Sequence, residues 1–234
     1  MTNAKVGFIY AHPDDETFGC ASLIRELADQ GGEPVLLCAT RGDAGKTGRL
    51  GEMTREELAV LREQELRTAG DIMGLSVIHH LGYPDGKLKD VPRAELVEHI
   101  VHFIQSHQLA VVVTFPEDGV SGHLDHIAIH HATNEAIFSG RCPSVQKLYY
   151  NAPFEVRNSG EGVTLKIQVE PHWKMKAAAL RAHQSQVFSV ERVFGDLEQM
   201  PNQAWAKEEV FMLAWERGTH WPKKQEATIY DDLI

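Results

Sequence analysis

Short apolar segments alternate with longer amphipathic segments along most of this chain, and this alternation restricts its fold more than any other feature. We predict strands at Val6–Tyr10, Pro34–Ala39, Val77–Leu81, Ala110–Phe115 and Val145–Asn151. We predict the helices between and after them at Phe18–Gln30, Thr54–Met73, Arg93–His107 and Ile127–Phe138. Such alternation implies parallel strands joined by right-handed crossovers. The sequence therefore predicts an α/β fold, a three-layer sandwich around a mostly parallel sheet.

The alternation becomes less regular after Ala152. The segment Val163–Val169 has apolar residues at every second position, which predicts an edge strand with one face in water. Helices are predicted at Trp173–His183 and Asn202–Leu213. Because no repeat, low-complexity tract or linker divides the chain, we predict one domain over residues 1–234 with a C-terminal extension of an edge strand and helices.

Composition excludes several classes of protein. The formal net charge of -10 argues against a nucleic-acid surface, which would carry a basic patch. No apolar run is long enough to span a membrane, and residues 1–5 lack a signal-peptide pattern. The three cysteines, Cys20, Cys38 and Cys142, include no Cys-x-x-Cys pair and are best explained as free thiols. We therefore expect a cytoplasmic protein with neither nucleic-acid nor membrane partners.

Nitrogen and oxygen ligands are concentrated directly after the first predicted strand, in the segment Ala11–Glu16 (AHPDDE). His12 and Asp15 can bind one ion from a tight turn, while Asp14 can point elsewhere. This donor set suits Zn²⁺. Taken alone, the segment is equally compatible with an acidic helix N-terminus, which the helix dipole favours.

A second cluster, Gly122–His126 (GHLDH), lies between another predicted strand and its following helix. Ligands in α/β proteins bind at the carboxyl ends of strands, so both clusters are in equivalent positions. One further ligand from here would complete a His/Asp/His set with an open position, the pattern of catalytic zinc. Two such clusters are much less probable by chance than one.

Two other segments are less specific. Gly45-Lys46-Thr47 resembles the end of a phosphate-binding loop, but Thr40 occupies the position of the required first glycine. A flexible loop bordering the metal site is the better interpretation. His183 can interact with a helix end or face a substrate, and the sequence leaves this open.

The two clusters resemble the signature motifs of the PIG-L/LmbE-like zinc-dependent N-deacetylases. Softer matches to this family are Arg62, Glu65, Ala69 and Met73-Gly74, then Leu81–Gly86, then Lys176, Ala179, His183, Ser185 and Gln186. Some members have a tyrosine two residues before the first histidine of the second motif, where this chain has Ser121. That difference concerns which subgroup of the family, defined by its substrate, this chain resembles.

The resemblance implies a Rossmann-like fold and hydrolysis of an N-acetyl group, typically on a glucosamine unit. The implied residues are the zinc ligands His12, Asp15 and His126, the general base Asp14, the oxyanion-stabilising or acidic His123 oriented by Asp125, and the sugar contacts Arg62 and Asp85. In this mechanism a metal-activated water attacks the amide, and the general base passes its proton to the leaving amine.

Two alternatives remain open at this stage. One is an amidase of the same chemistry that acts on a thiol–sugar conjugate. The other is a non-catalytic metal-binding protein, against which Asp14 and His123 argue because neither is needed to bind metal. The expected partner is a small acetylated amino sugar, and a homo-oligomer is left open.

Overall fold

The structure, a computed structural model, describes residues 4–234. The predicted lack of a signal-peptide pattern concerned residues 1–5, of which residues 1–3 lie outside the described residues. The strands are β1 (Lys5–Tyr10), β2 (Val35–Thr40), β3 (Val77–Tyr83), β4 (Leu109–Thr114), β5 (Lys147–Asn151), β6 (Leu165–Gln168), β7 (Glu208–Glu216) and β8 (Thr219–His220). The α-helices are α1 (Asp15–Asp29), α2 (Arg55–Met73), α3 (Arg93–His107), α4 (Leu124–Phe138), α5 (Phe154–Ser159), α6 (Trp173–Ala182) and α7 (Val187–Phe194).

The sheet has the order β3-β2-β1-β4-β5-β7-β6, with β8 paired to β7. The first five strands in this order are parallel, whereas β7 is antiparallel to both of its neighbours β5 and β6. Every residue of β2, β4 and β5 is buried, because helices cover both faces of the parallel part. The predicted α/β architecture with a mostly parallel sheet is confirmed.

The predicted helix at Asn202–Leu213 is wrong. Only a short 3₁₀ turn forms at Ala204–Ala206, and the chain then enters strand β7. Apolar side chains in a short run do not distinguish a buried strand from a buried helix. The open edges of β5 and β6 decide the outcome, because β7 bonds to both and so satisfies its backbone on two sides.

Other predictions, in the C-terminal part of the chain and elsewhere, agree with the structure. β6 lies at the edge of the sheet, and its residues are alternately buried and exposed, as predicted for Val163–Val169. At α2, whose predicted span includes Thr54, the side chains and backbone of Thr54 and Glu57 form a reciprocal capping box. All three cysteines are free and buried. Within residues 4–234, no helix combines the length and the apolar character needed to cross a membrane.

Helices α1 and α4 begin earlier than predicted. Helix α1 begins at Asp15 and α4 at Leu124, so both signature segments contribute residues to a first helical turn. β1 and β4 are neighbours, and the chain crosses from them in opposite directions. Ligands of open α/β sheets bind at such a switch point, beyond the carboxyl ends of the strands. The fold thus brings the two segments together at one edge of the sheet.

Candidate metal centre

Three predicted ligands meet at this edge. His12 Nδ1 lies 3.1 Å from His126 Nε2 and 3.6 Å from Asp15 Oδ2, and His126 Nε2 lies 3.3 Å from Asp15 Oδ1. Tetrahedral zinc with bonds of about 2.0–2.1 Å separates its ligand atoms by about 3.3 Å. The donor atoms from the two segments therefore have the spacing that one tetrahedral ion requires.

The contacts of His126 fix which of its nitrogens is free. Its Nδ1 lies 2.9 Å from the Gly119 carbonyl oxygen, which can only accept, so Nδ1 carries the proton. The ring also stacks on Phe115 with centroids 4.0 Å apart. Nε2 is left with a lone pair directed at the other ligands, as metal-binding histidines require.

His12 is fixed in the same way by two carboxylates. Its Nε2 lies 3.0 Å from Asp85 and 3.3 Å from Asp125, so Nε2 donates and Nδ1 is the acceptor. Two acceptor nitrogens thus face each other across 3.1 Å with a carboxylate beside them. A bound cation resolves this arrangement, and the residues therefore fit a divalent metal.

The electrostatics of the site agree with that conclusion. Burial lowers the pKa of His12, but hydrogen bonds to Asp125, Asp15 and Asp85 outweigh it and raise the pKa well above its usual value. Burial raises the pKa of Asp15, yet the nearby charges of His126 and His12 bring it below the usual range. Surroundings that stabilise positive charge on two rings also stabilise a metal cation.

Two other groups of side chains could share an ion with His12. They are His12, Asp85 and Asp125, and His12, His123 and His126. We favour the set with Asp15 and His126, because both oxygens of Asp125 already accept backbone N–H groups, from Gly86 at 2.7 Å and Leu88 at 3.0 Å. In this arrangement Asp85 and Asp125 orient the ligand His12 from behind.

The contacts of Asp125 differ from the sequence-based expectation. Its carboxylate was expected to orient His123 but lies against His12 instead. The reason is that α4 begins at Leu124, which buries the Asp125 side chain under the Gly86–Leu88 loop. Its connection to His123 is through the backbone, since the Asp125 N–H donates to His123 Nδ1 at 3.2 Å.

His123 occupies the N-cap position of α4 and lies at the open side of the centre. Its ring centroid is 4.7 Å from that of His12 and 5.0 Å from that of His126. Burial and the charges of His12 and His126 lower the pKa of His123. With Nδ1 accepting, the neutral ring has its proton on Nε2, and this N–H can donate to a developing oxyanion.

Asp14 lies beside the centre in a strained conformation. Its φ of 121° is in the left-handed region, which a non-glycine residue adopts at a cost of about 1–3 kcal/mol. Burial raises the pKa of Asp14 to about 6, although the charge of Arg62 opposes the rise. A carboxylate with a pKa this near neutrality can both accept and release a proton.

Arg62 is more enclosed than a residue predicted only to contact sugar. It is 3% exposed, donates to the carbonyl oxygens of Gly42 and Pro13, and lies 3.2 Å from Asp14 Oδ2. Arg62 and Asp85 both border the cavity, so their predicted contacts with substrate stay predictions. The contacts present place Arg62 on Asp14 and Asp85 on His12.

Sequence reasoning missed the buried residues that support the centre. His183 is the C-cap residue of α6, but its side chain is fully buried, with Nε2 3.0 Å from Thr17 Oγ1, and so has no surface exposed to a substrate. Glu65 accepts the N–H and the hydroxyl of Ser185 at 2.7 and 2.6 Å. Glu65, His183 and Ser185 were visible only as family matches, because the contacts join positions more than a hundred residues apart.

A cavity of about 620 Å³ opens beside the centre. One end is bordered by His12, Asp14, Asp15, Arg62, Asp85, His123 and His126. The remainder extends along residues of the C-terminal half of the chain. The site can therefore accommodate a ligand considerably longer than the metal centre itself.

Comparison with known proteins gives a consistent result. The family model described as "PIG-L: GlcNAc-PI de-N-acetylase" matches residues 8–137. A "Probable N-acetyl-alpha-D-glucosaminyl L-malate deacetylase 2" of Bacillus cereus is 30% identical, with 76% of this chain and 81% of that protein covered. A "1D-myo-inositol 2-acetamido-2-deoxy-alpha-D-glucopyranoside deacetylase" of Saccharomonospora viridis is 27% identical, with 77% and 84% covered.

Solved structures share the fold. An N,N'-diacetylchitobiose deacetylase from Pyrococcus horikoshii superimposes with a TM-score of 0.67 at 20% identity, covering 89% of this chain and 83% of that one. GalB, a 4-carboxy-2-hydroxymuconate hydratase from Pseudomonas putida, gives 0.68 at 18% identity, covering 93% and 98%. Since a deacetylase and a hydratase superimpose equally well, the fold alone does not select the reaction.

Proposed function

The chain belongs to the PIG-L family of GlcNAc-PI de-N-acetylases, and on that premise we propose that it is a metal-dependent hydrolase that removes the N-acetyl group from an N-acetylglucosaminyl substrate. The observation that carries the proposal is the convergence of His12, Asp15 and His126 at metal-ligand spacing. Asp14 and His123, which the metal does not need, stand on the same cavity. A purely structural metal site has no use for such a pair.

Zn²⁺ is the proposed ion, held by His12 Nδ1, Asp15 and His126 Nε2. Nitrogen and carboxylate ligands suit zinc but discriminate poorly among first-row metals. When bound, a divalent ion supplies Lewis-acid chemistry, lowering the pKa of water and polarising a carbonyl oxygen.

The chain's own residues move the protons. Asp14 accepts the proton of the water that attacks the amide carbon, then delivers it to the nitrogen as the C–N bond breaks and acetate leaves. His123 donates its Nε2–H to the oxygen that gains negative charge in the transition state. Arg62 holds Asp14 in position through their 3.2 Å contact.

The proposed substrate is a small acetylated amino sugar, in line with the acetylated glucosamine conjugates in the names of the relatives. An amidase acting on a thiol–sugar conjugate is the second candidate, and the same residues would serve it. A cytoplasmic location, the absence of nucleic-acid and membrane partners, and the oligomeric state stay predictions.

Three variants test the assignment through metal content and acetate release together. His126→Ala removes a ligand, so both metal affinity and activity should collapse. His123→Ala should keep the metal and slow turnover by about 10²–10³-fold, the usual effect of losing one oxyanion donor. Asp14→Asn should also keep the metal and lose most turnover.

The control is the exposed His102→Ala, which should change neither quantity. Metal loss in His123→Ala with retention in His126→Ala would reverse the two histidine roles. If wild-type protein carrying one metal per chain releases no acetate from a panel of N-acetylglucosaminyl compounds, the hydrolase proposal fails.

A further inference from the structure

We propose that the C-terminal part of the cavity is a second subsite, which binds an anionic, ring-bearing group attached to the acetylated sugar. This inference rests on the proposed function, because the metal centre defines where the acetyl group lies. It concerns a different set of residues, namely Phe18, Arg157, Arg192, Phe194 and Trp205, which we call the distal subsite.

The size of the cavity is the first argument. Its volume of about 620 Å³ falls in the range of about 300–1,000 Å³ in which proteins enclose drug-sized ligands. A single acetylated hexosamine is smaller than such a ligand and would occupy only the metal-centre end. The remaining space can hold a second group attached to the sugar.

The walls of that space are aromatic and apolar. The ring centroids of Phe18 and Phe194 are 5.4 Å apart, and those of Phe194 and Trp205 are 6.0 Å apart, so the three rings form one continuous wall. Val169 and Val193 border the same cavity. A surface of this kind binds a flat or apolar ring face, because aromatic contacts and burial of apolar area both favour it.

The charges at this end are the third argument. The acidic residues Glu208 and Glu209 are neutralised by lysines, Lys166 at 2.9 Å and Lys176 at 2.7 Å. Arg157 and Arg192 also border the cavity, and neither forms a salt bridge within residues 4–234. The charge left for a ligand is therefore positive, although the protein as a whole carries -10.

A hydrogen bond holds the Arg157 side chain in place and leaves the end of its guanidinium group without a partner among residues 4–234. Its Nε donates to the Ala152 carbonyl oxygen at 2.8 Å, which anchors the side chain, while its two terminal nitrogens have no protein partner in the described part of the chain. Burial lowers the pKa of Arg157, although the charge of Glu209 opposes the change, and an anionic ligand at the free end of the guanidinium would oppose it further. Two parallel N–H donors match a carboxylate or a phosphate.

The position of these residues in the chain indicates a role in specificity. Apart from Phe18, the distal subsite lies beyond the matched residues 8–137. The residues proposed to bind the metal and to transfer protons all lie within residues 8–137. We infer that the first half of the chain determines the reaction and the C-terminal half determines which conjugate is used.

Matched glycosides test the distal subsite. The probes are free N-acetylglucosamine, its benzyl glycoside and its 4-carboxybenzyl glycoside, which differ first by a ring and then by a charge. Wild-type kcat/KM should rise from the first to the second, and again by about 10- to 100-fold to the third, which is the contribution of a charged hydrogen bond.

The variants separate the ring from the charge. Arg157→Gln should abolish the preference for the carboxylate through KM and leave the benzyl glycoside unchanged. Arg192→Gln, on a different helix, repeats the test should Arg157→Gln fail to fold. Trp205→Ala should weaken both glycosides equally and leave free N-acetylglucosamine unchanged. Arg93→Gln, an arginine outside the cavity, is the matched control.

Equal kcat/KM for the two glycosides in wild-type protein overturns the anionic assignment, and so does an equal effect of Arg157→Gln on both. If no probe is deacetylated, the proposed function fails. The distal subsite is then tested separately, by measuring with calorimetry whether the protein binds 4-carboxybenzyl glucosaminide, the deacetylated form of the third probe. Binding that Arg157→Gln weakens at least tenfold supports the distal subsite, whereas absence of binding refutes it.

Discussion

The ring of His12 joins two groups of side chains, and each of its nitrogens serves one of them. Nδ1 faces the proposed ligands Asp15 and His126, while Nε2 faces the carboxylates Asp85 and Asp125. A carboxylate behind a metal-binding histidine fixes the ring and increases its basicity. At the scale of residues, therefore, the strength of the centre depends on groups that do not touch the ion.

Asp125→Asn tests this dependence. Because the carboxylate supports His12, its loss should lower metal affinity by about 10- to 100-fold, the usual effect of removing such a partner. The measurement is a titration of metal against a competing chelator. The control is Asp90→Asn, which removes an exposed carboxylate paired with Lys87 and should leave affinity unchanged. Normal affinity in Asp125→Asn, with only turnover reduced, would restore the original assignment of Asp125 to His123.

Gly119 provides a second test at this scale. A Cβ atom added to Gly119 would lie 2.7 Å from the Cβ of His126, whereas one added to Gly122 would meet nothing within 4 Å. Both glycines have positive φ, so alanine brings similar backbone strain to both. Gly119→Ala should therefore lower metal affinity by about tenfold or more relative to Gly122→Ala. Equal affinities in the two variants would contradict the packing argument.

At the scale of elements, helix α1 carries the proposed ligand Asp15 and is held in place by contacts from the C-terminal half of the chain. Lys176 on α6 donates to the Phe18 carbonyl oxygen at 3.0 Å, and Glu209 on β7 accepts the N–H groups of Ser22 and Leu23 at 2.9 and 3.0 Å. A regular helix would pair the Ser22 N–H with the Phe18 carbonyl. Here both groups have a charged partner, so residues of α6 and of β7, far along the chain, stabilise the helix of the first motif.

Replacing Lys176 shows how much this connection contributes. Lys176 and Glu209 are each 3% exposed and pair at 2.7 Å, so Lys176→Met leaves a buried carboxylate without its cation. Such a loss lowers the free energy of unfolding by about 3–5 kcal/mol. Lys166→Met, which breaks a more exposed pair with Glu208, should lower it by at most about 1 kcal/mol. Urea denaturation of both variants gives the comparison, and similar midpoints would argue against the role of the pair.

At the scale of the whole molecule, the C-terminal segment is tied to the sheet by a buried cation. Lys147 on β5 is fully buried and contacts Glu226 Oε1 at 2.6 Å as well as the Asp231 carbonyl oxygen. Lys224 pairs with the same glutamate at 2.7 Å. This network holds residues 222–234 against the sheet, although that segment lacks any apolar periodicity.

Lys147→Met should loosen this segment and destabilise the protein by about 3–5 kcal/mol, because Glu226 then loses a buried partner. Compared with wild type, Lys147→Met should accelerate hydrogen exchange of the amides in residues 222–234 more than that of the amides in β1. Lys5→Met breaks an exposed pair with Glu33 and should change neither quantity measurably. Unchanged exchange in the tail of Lys147→Met would show that the network does not hold it.

Local sequence determined the first half of this protein well. The continuous apolar strands and the two polar clusters each depend on neighbouring residues, so their positions and the parallel sheet could be predicted. The ligand set His12, Asp15 and His126 came from the family resemblance, and the donor spacing in the structure supports it.

Tertiary structure decided the rest, because the deciding contacts join distant positions. β7 is a strand because two strand edges are open to it, and Asp125 faces His12 because α4 begins one turn earlier than predicted. The distal subsite likewise combines Phe18 with residues that lie about 140 to 190 positions further along the chain. No local pattern encodes these contacts, since each depends on how the C-terminal half packs against the strand ends of the first.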